Sequence, residues 1–259
     1  MHLINGHPFI DLTNHIDFVG LESIKKDLIY GIVKNKANWA QGAASTHNLY
    51  NKGEVSLIDP TWPNVMQDPS NPDHEYFKKL NYDRADCMMF ARYTGDYTQM
   101  GQNVWLRKPY DTGPTGILNK CSAAGCYDTP IYADFPTLRE WLEKQNIFSE
   151  IGRINFFLSA PGEPGQLHKD AWLGFPDNFI LINLDPSRKE VYMLDDNHNK
   201  IVIDSPAFTF DTRNWHGTTG GKFYSWTLRL EGMFAKDWAE SVGIWDYYKI
   251  PDDLKNKDS

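Results

Sequence analysis

The chain has 259 residues, a formal net charge of −8 and 23% charged residues, which suits one large domain or two small ones. A chain this acidic has no general attraction for nucleic acid or an anionic membrane. It also shows no secretory signal and no apolar run near the roughly 20 residues that span a bilayer. Three cysteines (Cys87, Cys121 and Cys126) are too few for a disulfide framework, so we expect ordinary thiols and a reducing, cytoplasmic location.

The first half of the chain is expected to consist of helices and loops. Apolar residues recur at helical spacing from Leu21 to Val33 and, less regularly, from Glu75 to Arg92. Residues 59–73 contain four prolines and are predicted to form an irregular loop, which is a candidate lid over a site. Residues 108–130 are also predicted to be loop-like.

Two helix starts can be predicted from capping patterns. A helix is expected from Leu138 to Ile147, with Thr137 as N-cap and Glu140 three residues further on, which is the spacing of a capping box. Near the N-terminus, the pair His15-Ile16-Asp17 directly precedes the first helical stripe. We interpret its carboxylate as an N-cap or first-turn residue and not as a metal ligand.

The second half has the pattern of short strands separated by turns. Strands at this spacing, without alternating helices, predict a sandwich or barrel and not a Rossmann sheet. The predicted strands are residues 152–161, 178–184, 190–194, 201–203, 207–211 and 223–231.

A second His-x-Asp pair, His168-Lys169-Asp170, follows a predicted strand and a Pro-Gly-rich turn. Residues i and i+2 of an extended segment lie on the same side, so the imidazole and the carboxylate are presented together. His216 follows a later strand and precedes a turn. Two histidines and one carboxylate on one face of a barrel form the facial triad that holds non-haem Fe(II) with open positions.

An arginine completes this constellation. Arg229 lies thirteen residues after His216 in an apolar strand, where a guanidinium is costly unless it is paired. It could take a carboxylate of a 2-oxo diacid bidentately. A structural interpretation remains open, in which Arg229 pairs with a core carboxylate such as Glu231 or Asp211 and His216 is a satisfied surface histidine. Arg213 is a rival for the carboxylate-binding role.

The stretch from residue 152 to 234 resembles the Fe(II)/2-oxoglutarate-dependent dioxygenases, and within them most closely the aspartyl/asparaginyl β-hydroxylases and their proline-hydroxylase relatives. The resemblance is carried by RINFFLSAPGEPGQLHKD, FILINL, FDTRNWHGTTGG and TLRL. It implies a double-stranded β-helix (cupin-like jelly roll) with an N-terminal helical layer. It further implies that His168, Asp170 and His216 bind iron, and that Arg229 binds the distal carboxylate of 2-oxoglutarate. The expected reaction is hydroxylation with O₂, which releases succinate and CO₂.

The sequence departs from that family pattern in two places. The interval between His216 and Arg229 is a few residues longer than in the commonest form of that family. Glu231 replaces a serine that is often found two residues after the arginine. The second partner of the carboxylate is therefore left open among Thr227, Tyr224 and Lys222. The presence of Asp170 favours oxygenation over halogenation, because related halogenases carry a small residue at that position.

The expected domain plan is one catalytic domain over residues 1–259. Residues 1–150 would support the core and set substrate specificity, residues 151–236 would form the jelly-roll core, and residues 237–259 would form a C-terminal tail. The alternatives are a zinc-dependent hydrolase with the same His/Asp/His set and a non-catalytic cupin-like binding protein.

The expected partner is O₂ with a small-molecule or peptide substrate, and not nucleic acid or a membrane. Arg213, Trp172 and Trp215 are candidate substrate-binding residues because they lie close to the proposed ligands. The acidic charge, including that of residues 59–73, favours a cationic or zwitterionic substrate. An amino acid, either free or within a peptide, meets that description.

Overall fold

The structure is a computed structural model that describes residues 1–34, 40–41, 102–109, 126–159, 165–168, 176–184, 190–219 and 225–249. Its strands are β1 (Phe9–Asp11), β2 (Ala40–Gln41), β3 (Gln102–Pro109), β4 (Cys126–Asp128), β5 (Phe148–Ser159), β6 (Gly165–His168), β7 (Phe179–Asn183), β8 (Val191–Leu194), β9 (Lys200–Ile203), β10 (Ala207–Phe210), β11 (His216–Thr218) and β12 (Ser225–Phe234). Its helices are α1 (Phe18–Lys34), α2 (Pro136–Gln145), α3 (Lys236–Val242) and α4 (Trp245–Tyr248). In this part of the chain, no helix is both long enough and apolar enough to cross a bilayer.

The described strands form two antiparallel sheets. The larger sheet has the order β1-β10-β7-β12-β5-β3-β2, with β4 on β3, and the smaller sheet has the order β6-β11-β8-β9. From β5 onward the chain passes back and forth between the sheets, so that β5-β12-β7-β10 in one lies against β6-β11-β8-β9 in the other. This is the strand order of a double-stranded β-helix, and the predicted fold class is confirmed.

The helices cover the outer face of the larger sheet. On β12, Leu228 and Leu230 are fully buried and pack in one cluster with Leu28 of α1, Trp141 of α2 and Trp238 of α3. The residues that alternate with them, including Thr227 and Arg229, occupy the opposite face of the strand, because side chains alternate along a strand. The predicted N-terminal helical layer is therefore present, and its packing leaves the polar residues of β12 inside the barrel.

A second apolar cluster lies between the two sheets. It joins Phe179 of β7 and Phe210 of β10 to Met193 of β8 and Ile203 of β9. Because these four strands come from both sheets, this cluster fills part of the barrel interior. The candidate site described below lies beside it.

Local sequence signals predicted the two long helices with different success. Helix α1 is confirmed, and Oδ1 of Asp17 accepts a hydrogen bond from the backbone N–H of Gly20 at 2.8 Å, as an N-cap does. Helix α2 begins at Pro136, and its N-cap is Phe135 without a side-chain hydrogen bond. The predicted capping box is wrong, because proline takes the first helical position and leaves Thr137 inside the helix.

The prediction of helices and loops for the first half is wrong in part. Strands β1 and β3 extend the larger sheet, and β3 pairs with β4 inside the region predicted as the loop 108–130. These short strands form by pairing with distant residues, which local periodicity does not reveal. The predicted helix from Glu75 to Arg92 and the candidate lid at residues 59–73 lie outside the described residues.

Two further features concern the tail and the thiols. The segment expected to be a C-terminal tail begins inside α3 and includes α4, where Trp238 and Tyr248 are buried in the main core. Cys126 carries a free thiol, and burial raises its pKa, which makes it a poor nucleophile. Cys87 and Cys121 lie outside the described residues.

Candidate functional site

His168 and His216 are directly opposed across the antiparallel strands β6 and β11. Residues that face each other in this way lie on the same side of a sheet, with Cβ atoms about 4.5–5.5 Å apart. The backbone register therefore brings together two residues that are far apart in sequence. It places the two predicted histidine ligands side by side on the smaller sheet.

The imidazole of His216 is held in one tautomer. Its side chain is buried, and its Nδ1 lies 2.9 Å from the carbonyl oxygen of Asn214. A carbonyl oxygen only accepts, so Nδ1 carries the proton and Nε2 is the nitrogen with the lone pair. The imidazole packs against the ring of Phe210 in a T-shaped arrangement, with centroids 4.8 Å apart. Metal-binding histidines use this arrangement, with one nitrogen fixed by a carbonyl and the other facing the metal.

These observations fit a metal site in part. The described residues contain no group of three His, Cys, Asp or Glu side chains that could hold a metal ion. Asp170, the third predicted ligand, lies outside them. The pairing of His168 with His216 and the tautomer of His216 suit two ligands of a metal. The complete triad stays a prediction.

Arg229 lies in a network of buried charges. Its Nε donates to Oε1 of Glu231 at 2.6 Å, and its Nη2 lies 3.4 Å from Oδ2 of Asp177. Glu231 also accepts from Nε of Arg153. The side chain of Glu231 is only 2% exposed, and the guanidinium of Arg229 lies over the ring of Phe179. Of the two structural partners considered from the sequence, Glu231 is the one observed.

The role of Arg229 toward a cosubstrate stays a prediction. Two carboxylates already share its guanidinium. A series of ring contacts joins it to His216, since the guanidinium lies over Phe179, Phe179 contacts Phe210 with centroids 5.0 Å apart, and Phe210 contacts the imidazole. Asp211, the other partner considered, pairs with Arg213 instead. Any ligand carboxylate at Arg229 would therefore join or displace an internal one.

Asn183 and Thr227 form a polar pair inside the barrel. They are cross-strand partners on β7 and β12, and the Thr227 hydroxyl donates to Oδ1 of Asn183 at 3.1 Å. The side chain of Asn183 is buried, and its Nδ2 has no hydrogen-bond partner among the residues that the structure describes. An unmet buried donor costs about 1–3 kcal/mol, and a ligand acceptor is one of the features that explain such a group.

The unsatisfied Nδ2 of Asn183 shows whether the residues near Arg229 suit the binding of 2-oxoglutarate. Thr227 lies two residues before Arg229 on the same face of β12, so the amide of Asn183 and the guanidinium line one side of the barrel interior. A carboxylate oxygen there would satisfy Nδ2 of Asn183, so the chemistry of these residues fits a dicarboxylate. The sequence analysis named Thr227 as a candidate partner of the cosubstrate carboxylate but gave Asn183 no ligand-binding role. The feature of the sequence that points to Asn183 is its position as a polar residue within an apolar strand.

Arg213 is held by its neighbours. Its Nε lies 3.0 Å from both carboxylate oxygens of Asp211, and its Nη2 donates to Oη of Tyr247 at 3.1 Å. Burial alone would raise the pKa of Asp211, but hydrogen bonds from Arg213 and Tyr247 outweigh it and hold that pKa below its usual value. Trp215 is half-buried, and Trp172 lies outside the described residues. The substrate-binding roles of these three candidates stay predictions.

Comparison with known proteins adds structural neighbours of low identity. No protein-family model matches the chain, and no curated protein matches it in sequence. The fold is similar to that of an oxidoreductase of the 2OG-Fe(II) oxygenase family from Burkholderia pseudomallei, with 7% identity and a TM-score of 0.35 over 51% of this chain and 67% of that one. It is also similar to a prolyl-4-hydroxylase from Pseudomonas putida, with 11% identity and a TM-score of 0.30 over 52% and 70% of the two chains. A cupin-superfamily protein from Desulfitobacterium hafniense shares 18% identity, with a TM-score of 0.22 over 31% and 66%.

Proposed function

We propose that this chain is an Fe(II)/2-oxoglutarate-dependent oxygenase that hydroxylates an unactivated C–H bond of an amino acid, a peptidyl residue or another small molecule. The observation that carries the proposal is the cross-strand pairing of His168 with His216 inside a double-stranded β-helix. Paired histidines with one carboxylate suit non-haem Fe(II). The resemblance of residues 152–234 to aspartyl/asparaginyl β-hydroxylases and proline hydroxylases supports this choice of reaction.

The residues of the proposed metal site have distinct tasks. His168, Asp170 and His216 would supply two imidazole nitrogens and one carboxylate oxygen. The carbonyl of Asn214 keeps Nδ1 of His216 protonated, so that Nε2 is the nitrogen available as a ligand. When bound, Fe(II) with 2-oxoglutarate and O₂ supplies the oxidation, in which succinate and CO₂ form and one oxygen atom enters the substrate C–H bond.

The interior face of β12 would bind the cosubstrate. In this proposal Arg229 binds the distal carboxylate of 2-oxoglutarate with a charge-assisted hydrogen bond, and Nδ2 of Asn183 donates a second one. Glu231 and Asp177 hold the guanidinium in place. Arg213, Trp172 and Trp215 would contact the substrate, whose positive or zwitterionic character suits a chain with a net charge of −8.

The proposal is tested by adding Fe(II) and 2-oxoglutarate to the protein without oxygen and recording the visible spectrum. We expect a weak metal-to-ligand band that His168→Gln, Asp170→Ala and His216→Gln each abolish. His15→Gln is the matched control, because His15 belongs to the other His-x-Asp pair and is exposed. A triple variant that retained the band would refute the ligand assignment.

The substrate class is tested with oxygen present. Succinate release should rise above the uncoupled background with some member of an amino-acid and peptide panel. It should stay at background with DNA and RNA. Bound zinc with hydrolysis and no consumption of 2-oxoglutarate would favour the hydrolase alternative. Metal binding without any turnover would favour the cupin-like binding protein.

A further inference from the structure

Helix α4 is only four residues long, yet both of its tyrosines bind the end of strand β10. The Tyr248 hydroxyl donates to the carbonyl oxygen of Phe210 at 3.1 Å and lies 3.0 Å from Oγ1 of Thr209. The Tyr247 hydroxyl donates to Oδ2 of Asp211. Three consecutive residues, from Thr209 to Asp211, are thus attached to the C-terminal helix.

Asp211 in turn organises the turn that leads to His216. Its side chain is fully buried. Its Oδ1 accepts from the backbone N–H of Arg213 at 2.8 Å, and its backbone carbonyl accepts from the N–H of Asn214 at 3.0 Å. These bonds set the path of residues 211–215. The carboxylate is the point at which α4 and this turn meet.

The same turn determines the orientation of the imidazole. The carbonyl of Asn214 accepts from Nδ1 of His216, and the ring of Phe210 packs against the imidazole in a T-shaped arrangement. Both contacts come from the segment that Tyr247 and Tyr248 hold. A continuous series of contacts therefore runs from α4 through Asp211 to the proposed metal ligand.

We propose that Tyr247, acting through Asp211, is a positioning residue for His216, and that helix α4 thereby fixes which imidazole nitrogen faces the barrel interior. The Tyr247 hydroxyl bonds to Arg213 and Asp211, which precede His216 in the chain. It completes the set of donors around Asp211, with Arg213 as the other side-chain donor. The consequence for metal affinity rests on the function proposed above, whereas the consequence for the tautomer does not.

The tautomer can be measured in the metal-free protein. The protein is labelled with ¹⁵N-histidine, and long-range ¹H–¹⁵N imidazole spectra are recorded at pH 8, with the His216 signal assigned from His216→Gln. We expect wild-type His216 to be in the Nδ1–H form and Tyr247→Phe to show a growing Nε2–H population. Tyr132→Phe is the matched control, because Tyr132 is a buried tyrosine in a turn that contacts β3, which three strands separate from β10 in the larger sheet, and it should leave the His216 signal unchanged.

Affinity for Mn(II) alone, measured by calorimetry, gives the second readout. Loss of a group that orients a metal-binding side chain typically weakens metal binding about 10- to 100-fold. We expect a loss of this size in Tyr247→Phe. Arg213→Gln, for which we expect the same loss, is the second variant if Tyr247→Phe does not fold. Unchanged tautomer and unchanged affinity in a folded variant would overturn the proposal, and so would equal changes in Tyr132→Phe. If Tyr247→Phe changed the tautomer but the wild-type protein bound no metal, the positioning role would be upheld and the proposed function refuted.

Discussion

Arg229 and Glu231 lie two residues apart on the same face of β12, and Nε of the arginine donates to Oε1 of the glutamate at 2.6 Å. Because Glu231 is also bound by Arg153, a single carboxylate is shared by two guanidiniums. In the pattern that residues 152–234 resemble, a serine is often found at the position of Glu231. The carboxylate of Glu231 neutralises the arginine that would bind 2-oxoglutarate, and it also holds that arginine in place.

The shared carboxylate makes Glu231 important for stability. Glu231→Gln removes the negative charge between two partly buried guanidiniums, and breaking a buried ion pair costs about 3–5 kcal/mol. We expect a loss of this size in the free energy of unfolding measured by urea denaturation. Glu190→Gln, at an exposed glutamate, should change it by less than about 0.5 kcal/mol. Equal effects of the two substitutions would contradict the network.

The choice between two arginines can be decided by cosubstrate binding. Loss of a charge-assisted hydrogen bond costs about 1.5–3 kcal/mol, or roughly 10- to 150-fold in affinity. Arg229→Gln should therefore weaken 2-oxoglutarate binding in calorimetry while metal binding persists. If, with metal saturating both variants, Arg213→Gln produced this loss and Arg229→Gln did not, the cosubstrate would be bound by Arg213.

Asn183 should matter more for the ligand than for the fold. Its Nδ2 has no partner among the described residues, whereas its Oδ1 accepts from the Thr227 hydroxyl. Replacing both partners of a hydrogen bond with apolar groups of similar shape is nearly neutral, so Asn183→Leu combined with Thr227→Val should change the free energy of unfolding by less than about 1 kcal/mol yet weaken 2-oxoglutarate binding roughly tenfold. Asn155→Leu, at a buried asparagine that has partners, is the comparison and should cost about 1–3 kcal/mol. A strongly destabilised double variant would show that the Asn183 amide is satisfied within the protein.

Asp211 should give the protein a pH-dependent part of its stability. Its pKa is lowered in the folded state, so its contribution is present above the unfolded-state pKa of about 3.9 and is lost as the pH falls through the folded value. Asp211→Asn should therefore destabilise the protein at pH 7 by about 3 kcal/mol. Urea denaturation at acidic pH should show a smaller difference between the two proteins. A difference that did not shrink in acid would contradict the lowered pKa.

Thr137 tests the origin of helix α2. Its Oγ1 is buried and has no hydrogen-bond partner within the described part of the chain, so Thr137→Val removes an unsatisfied group and should raise the free energy of unfolding by about 1 kcal/mol. A true N-cap would give the opposite sign, with a loss of about 1 kcal/mol. Thermal or urea denaturation of the variant distinguishes the two. Asp17→Ala, at the observed cap of α1, supplies the reference for a lost cap.

Several features could be predicted because their causes lie within a few residues of sequence. The apolar spacing of α1 and the carboxylate of Asp17 at its N-terminus act over single helical turns. The alternation of apolar and polar residues in the second half predicts β-strands of a barrel, because burial of one face of a strand imposes a period of two. The order of His168, His216 and Arg229 along these strands predicts two metal ligands followed by a carboxylate-binding arginine.

Other features were decided only by tertiary contacts. The opposition of His168 and His216 depends on the register of β6 with β11, which is set by the whole barrel because a slip of one residue would reverse every side chain. Pairing of β3 with β4, and the attachment of Asp211 to Tyr247, join segments that are distant in sequence. The alternation of residues along each strand shows which side chains share a face with one another, because a strand has a period of two. Which face lies inside the barrel, and which groups become partners there, depends on tertiary contacts, because the free energy of a buried charge or amide depends on the groups that surround it and not on its neighbours along the chain.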